Sequence, residues 1–137
     1  MAADRTVIAD NALSYVVEDL EIKLPLADVP GDPVRGELLV RDASRATCLI
    51  CHDVPIEGEP DPGNIGPPLA GVALRYTAGE LRLRLVDPKQ FNPDTIMPSY
   101  LRTSDLYEVA QEYRDQSIYS AQDVEDVVAY LLTLDEL

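Results

Sequence analysis

Cys48-Leu49-Ile50-Cys51-His52 reads C-x-x-C-H, the attachment spacing of c-type haem. Each position has a chemical reason. Two thiols on one turn of chain can add across the two vinyl groups of a single haem. The histidine that follows then lies under the iron and offers an imidazole nitrogen as proximal ligand. Covalent links let a small core hold a large apolar cofactor that packing alone would not retain. Three other readings of the pair compete. A thioredoxin-like dithiol expects a βαβ context, which the flanking sequence does not offer. A structural zinc site wants four Cys or His ligands, and the chain owns three such residues. A chance match is the third. The sole histidine standing at that position favours haem.

A sixth ligand can be sought by elimination. Met97 is the one methionine besides Met1, in a loop with Pro98 next to it. A thioether sulfur favours ferrous iron, as electron-transfer cytochromes require. Methionine is more often a core filler, but Pro93-Asp94-Thr95 is a polar, turn-rich setting for one. Lys23, Lys89 and the tyrosines are the rivals. Gly66-Pro67-Pro68-Leu69-Ala70-Gly71 follows the motif by a loop. A metal-bound histidine normally donates its second ring N–H to a carbonyl or carboxylate, and the Pro67 carbonyl is a candidate acceptor. The prolines also stiffen the turn.

Working outward, 137 residues of 15.1 kDa make one domain. An apolar fraction of 46% suits a globular chain. The net charge of −14 disfavours binding to a phosphate backbone. No apolar run reaches a membrane span, and the start at Met1 shows no secretory pattern. That leaves a cytosolic chain or a mature exported one.

Asp32-Pro33 pairs an N-cap acceptor with a proline at the first helical position and opens a helix to about Arg41, with Val34, Leu38 and Leu39 facing inward. Gly36 inside that helix points to a close helix–helix contact. Before it, Ser14 to Leu26 reads as short extended pieces. Thr77-Ala78-Gly79-Glu80 has capping-box spacing, so a helix is expected from Ala78 to Val86. Asn92 to Pro98 reads as loop, and Ser104 to about Tyr113 as a short helix. Ser120 caps a helix over Ala121 to Leu134 whose apolar side holds Val124, Val127, Val128, Leu131 and Leu134. The expected fold class is mostly α with long proline-rich loops.

Together these features resemble the class I cytochromes c. A helix opened by proline, then C-x-x-C-H, Gly-Pro-x-Leu-x-Gly, a Met-Pro loop and a C-terminal helix with an aromatic occur in that order. The resemblance implies a single cytochrome c-like haem domain over 32–137 behind an N-terminal extension over 1–31. It also implies a crossing of Gly36 against Tyr130, and one covalently bound haem c with iron. Longer strings narrow the match. Ile65-Gly66-Pro67-Pro68-Leu69-Ala70-Gly71-Val72, Arg75-Tyr76, Asn92-Pro93-Asp94-Thr95-Ile96-Met97-Pro98 and Ala121-Gln122-Asp123-Val124-Glu125-Asp126-Val127-Val128-Ala129-Tyr130-Leu131 resemble the SoxX family, the monohaem subunits of SoxAX cytochromes in bacterial sulfur oxidation. That likeness implies a periplasmic heterodimer with a haem-containing SoxA-like subunit, its signal peptide cleaved. The whole complex would be an L-cysteine S-thiosulfotransferase that oxidatively couples thiosulfate to a cysteine of a sulfur-carrier protein. This chain would relay electrons through a His52/Met97 haem to a soluble acceptor cytochrome, with no catalytic residue of its own. Because the chain has no tryptophan, Arg75, Tyr76 and Arg82 are candidate donors to the haem propionates.

Charge is unevenly placed. Nine acids stand against Arg114 alone from Thr103 to Leu137, whereas Gly71 to Arg102 carries five cations and three acids. The acids read first as a solvated face. The acids Asp53, Glu57, Glu59 and Asp61 have no counterpart in the resemblance. Alternatives to the complex subunit are a freestanding monohaem carrier and a haem-based ligand sensor. A fixed partner would call for an apolar patch, with Ile65, Ile96, Tyr100 and Leu101 as its candidates.

Overall fold

Strand β1 (Arg5–Asp10) pairs antiparallel with β2 (Leu13–Glu18), in a register running from Arg5 opposite Glu18 to Asp10 opposite Leu13. The structure, a computed structural model, describes residues 5–10, 13–42, 44, 48–56, 65–101 and 118–136. After β2 the chain reverses through Asp19 and Leu20, both at positive φ (55° and 58°). Two backbone bonds between Glu18 and Glu21, of 2.9 and 3.0 Å, close the turn. The extended pieces expected ahead of Pro33 thus include a hairpin strand. Tyr15, Val17 and Ile22 from this segment enter the core. The Ile22 N–H donates to the Gly79 carbonyl at 3.0 Å.

Helix α1 (Pro33–Arg41) begins as the sequence predicts. The Asp32 carboxylate accepts from the Val34 and Arg35 N–H groups, and Pro33 needs no partner for a missing donor. A short turn, α2 (Cys48–Cys51), follows, then α3 (Val72–Arg75), α4 (Ala78–Val86), a 3-10 turn over Pro88–Gln90 and α5 (Ala121–Leu131). Both α4 and α5 start in full capping boxes, Thr77 with Glu80 and Ser120 with Asp123. Helix α5 stops at Leu131 rather than Leu134. The Thr133 hydroxyl takes the Tyr130 carbonyl at 2.6 Å and its N–H bonds the same oxygen at 2.9 Å. Leu134 still packs against the core from beyond the helix.

Helices α1 and α5 cross at Gly36. A Cβ on Gly36 would overlap the Asp126 carbonyl and stand 2.9 Å from the Tyr130 Cβ, so only a residue without a side chain allows the approach. The face of α1 turned to α5 therefore carries Gly36, Leu39 and Val40, all buried. This corrects part of the expected inward face. Val34 and Leu38 lie one turn apart on the other side and are 70% and 62% exposed.

The acids of α5 also depart from expectation. Asp123, Glu125 and Asp126 are buried instead of solvated. Arg35 reaches Asp123 at 2.7 Å and Asp126 at 2.6 Å, and Asp126 accepts further from the Asp32 N–H and from Gln122, each at 2.8 Å. Arg82 grips Glu125 through Nε at 2.9 Å and Nη2 at 3.0 Å. Its Nη1 donates to the Ile22 and Lys23 carbonyls at 3.2 Å each. Glu125 also accepts from the Leu26 N–H. One ion pair thus ties the N-terminal segment to α4 and α5. Among the described residues no helix is long and apolar enough to cross a membrane. The expected helix at Ser104–Tyr113, and the acids Glu57, Glu59 and Asp61, lie outside the described residues.

Candidate haem site

The single turn α2 brings Cys48 and Cys51 to adjacent positions, both as free thiols. His52 closes that turn, its N–H donating to the Cys48 carbonyl at 2.7 Å. The next loop is laced back onto the motif. Gly66 N–H bonds the Cys51 carbonyl at 2.6 Å, and Leu69 N–H bonds the Asp53 carbonyl at 2.9 Å. This places the Pro67 carbonyl 2.6 Å from His52 Nδ1. A carbonyl only accepts, so Nδ1 carries the proton and Nε2 keeps its lone pair. A ring held in that tautomer is ready to ligate a metal through Nε2.

Gly66 is the part of this cradle that sequence reasoning left aside. A Cβ there would overlap the His52 ring, so the glycine is what lets the imidazole lie flat against the loop. Its position directly before Pro67 was the available signal. Arg75 holds the same loop from the other end, Nη2 to the Pro68 carbonyl at 2.8 Å and Nη1 to the Ala70 carbonyl at 3.2 Å. Burial pushes the Cys48 thiol above its ordinary value, against hydrogen bonds from the Tyr100 and Tyr119 hydroxyls that pull it down. Those two rings stack with centroids 4.9 Å apart.

The other candidates each make contacts within the protein. Arg82 is buried and spends four of its five N–H donors on Glu125 and two carbonyls. Tyr76 lies with its ring against Arg84. Met97 is half-buried against the core, its N–H donating to the Thr95 hydroxyl at 3.2 Å. Of the apolar patch, Ile65 and Ile96 are 63% and 76% exposed, but Tyr100 is 1% exposed and Leu101 half-buried. Tyr100 leaves the surface because its N–H pairs with the Leu85 carbonyl and its ring with Tyr119.

The donor set fits a haem and not the rivals. Two free thiols sit beside one imidazole of fixed tautomer. Among the described residues no three His, Cys, Asp or Glu side chains converge as a metal site. The one sheet described is a two-stranded antiparallel hairpin, not the parallel setting of a thioredoxin-like dithiol.

Comparisons agree with the geometry. A family model for cytochrome c matches residues 34–135. In the crystal structure of SoxXA from P. pantotrophus, one chain superposes with a TM-score of 0.80 at 27% identity. The match covers 96% of this chain and 100% of that one. No curated protein sequence matches significantly. With C-x-x-C-H at its first turn after α1 and the His52 ring oriented by a carbonyl, the chain belongs to the cytochrome c family, whose members transfer electrons through a covalently bound haem c.

Proposed function

We propose that the chain is the monohaem subunit of a SoxAX-type complex, taking up the electrons released when thiosulfate is coupled to a cysteine of a sulfur-carrier protein. The observation that carries this reading is likeness over whole lengths. The match to the SoxXA chain covers all of that chain and 96% of this one, at a TM-score of 0.80. Joining a thiol to thiosulfate through a new sulfur–sulfur bond releases one proton and two electrons. The bond-making belongs on a SoxA-like partner, and this chain carries the electrons onward, one at a time, to a soluble acceptor cytochrome.

The residues divide the work. Cys48 and Cys51 hold the haem through thioether links. His52 would ligate the iron through Nε2 while its Nδ1–H stays on the Pro67 carbonyl, and Met97 would offer its sulfur as the other protein ligand. The bound haem contributes a one-electron couple at iron, and a thioether ligand raises its potential. Arg75 and Tyr76 would donate to the haem propionates, and Arg75 also keeps the proline loop in place. Residues 32–137 form the haem domain and 1–31 an extension pinned to it through Arg82 and Glu125. Ile65 and Ile96 are the exposed apolar residues that a fixed partner would cover. Because such haem attachment takes place outside the cytoplasm, the site of action is the periplasm.

The native mass and haem count of the protein isolated from its source test this reading. A heterodimer with a second, larger haem protein is the expected result. A lone monomer with one haem would leave a freestanding carrier and overturn the complex.

A further inference from the structure

We propose that Arg84 is the positioning residue of the methionine loop: clamped between Tyr76 and Phe91, its guanidinium fixes where Met97 presents its sulfur. The proposal rests on the reading of Met97 as axial ligand. Arg84 projects from α4 with its Cζ 3.8 Å from the Tyr76 ring centroid and 3.9 Å from that of Phe91. A planar cation between two aromatic faces gains from both quadrupoles, and from more than water offers when half-buried. Among the described residues no acid pairs with Arg84. Its polar contact is the Glu80 carbonyl at 3.5 Å, the outer limit of a hydrogen bond.

The two rings belong to the two loops that flank the site. Tyr76 ends α3, next to Arg75, which holds the Pro68 and Ala70 carbonyls of the His52 cradle. Phe91 closes the 3-10 turn, its N–H on the Pro88 carbonyl at 3.0 Å. From Phe91 to Met97 the chain is bonded mostly to itself. Thr95 N–H takes the Asn92 carbonyl and Asp94 N–H the Asn92 side chain. Lys89 reaches the Thr95 carbonyl at 2.9 Å, and Met97 N–H takes the Thr95 hydroxyl. Such a loop moves as a unit, so its orientation is set at its two ends. One end is tied by Tyr100 N–H to the Leu85 carbonyl at 2.8 Å. The other is the Arg84 clamp, which joins it to the histidine side. A thioether is a neutral, weak donor, so its hold on a metal depends on the loop that presents it.

The test uses the oxidised holoprotein and two readouts, the sulfur-to-iron charge-transfer band and displacement of the ligand by imidazole. Arg84→Met keeps length and packing but removes the cation. It is expected to weaken the band and to raise imidazole affinity about tenfold. Arg84→Lys, which keeps charge but not the planar fork, is expected to fall between Met and wild type. Phe91→Leu removes one face of the clamp and should act in the same direction, which serves if the Arg84 variant does not fold. A thermal midpoint measured alongside separates loosening of the loop from general loss of stability. If band and imidazole affinity in both variants match wild type, Arg84 does not position the loop. A wild-type protein without the band would overturn the Met97 ligation itself, and this proposal with it.

Discussion

The α1–α5 crossing and the loop from Gly66 to Arg75 each hold an arginine, but they hold it by opposite means. At the crossing, Arg35 meets the buried carboxylates of Asp123 and Asp126, and Arg82 meets buried Glu125 alongside. In the loop, Arg75 hydrogen-bonds two main-chain carbonyls, those of Pro68 and Ala70, and is itself exposed. A buried charge that loses its partner keeps its full desolvation penalty, whereas an exposed carbonyl that loses a donor finds water. The crossing should therefore govern whether the chain folds, and the loop how the His52 ring is set. The same division applies to the glycines. Gly36 admits a helix backbone, and Gly66 admits a ring that does chemistry.

The contrast breaks most visibly at Arg82. Arg82→Met leaves Glu125 buried without its partner and frees the Ile22 and Lys23 carbonyls. Denaturant unfolding should show a loss of about 3–5 kcal/mol. Pairing it with Glu125→Leu should recover most of that loss, because the penalty lies in the orphaned charge. Gly36→Ala comes next. Its Cβ cannot enter without moving the Asp126 carbonyl, a backbone atom. A loss of about 1–3 kcal/mol is expected from overpacking, read as a lower thermal midpoint.

Much of this frame was legible in the sequence, because its signals are local. Asp32-Pro33, the Thr77–Glu80 box and the Ser120 cap each need only a few neighbouring residues, and C-x-x-C-H needs five. What failed was long-range. Helix α1 offers two apolar sides, Val34 with Leu38 and Leu39 with Val40. Choosing between them requires knowing that Gly36 looks at α5, from a distant part of the chain. The α5 acids read as solvated because their cations lie far away in sequence, in α1 and α4. Arg75, Tyr76 and Arg82 looked equivalent as cations or hydroxyls near a haem. Only the fold reveals that Arg82 is buried against Glu125 and that Arg84 lies between two rings. The His52–Pro67 contact was legible because a metal-bound imidazole needs an acceptor and the Gly66-Pro67-Pro68 segment beyond the next loop offers a rigid carbonyl.

A milder way to sharpen the contrast is pH. Burial pushes the Asp126 carboxyl up, but Arg35, the Asp32 N–H and Gln122 outweigh it and hold it below the usual carboxylate range. A carboxyl lowered by folding contributes in full above its unfolded value of about 3.9, and that contribution drains away as pH falls through the lower folded value. Asp126→Asn should flatten the acid limb of stability against pH while leaving its shape near neutrality unchanged. Urea midpoints across the acid range provide the measurement. An unaltered acid limb would mean that the crossing does not draw its acid sensitivity from Asp126.

The smallest expected effect on stability is also the most informative about the loop. Arg75→Met removes donors from two carbonyls, those of an exposed proline and a half-buried alanine, that water can reach. The change should cost no more than about 1 kcal/mol, less than Gly36→Ala. Its influence on the redox couple should nonetheless be visible. Removing a positive charge from the segment that carries the His52 acceptor favours the oxidised form, so the reduction potential should fall. Because Arg75 is exposed, added salt should shrink that fall. A buried arginine would show little salt dependence, so a potential shift that persists in high salt would mean Arg75 is shielded in the holoprotein. A stability loss larger than that of Gly36→Ala would erase the distinction between frame and loop. The cradle of His52 would then be as much a part of the folding core as the helix crossing is.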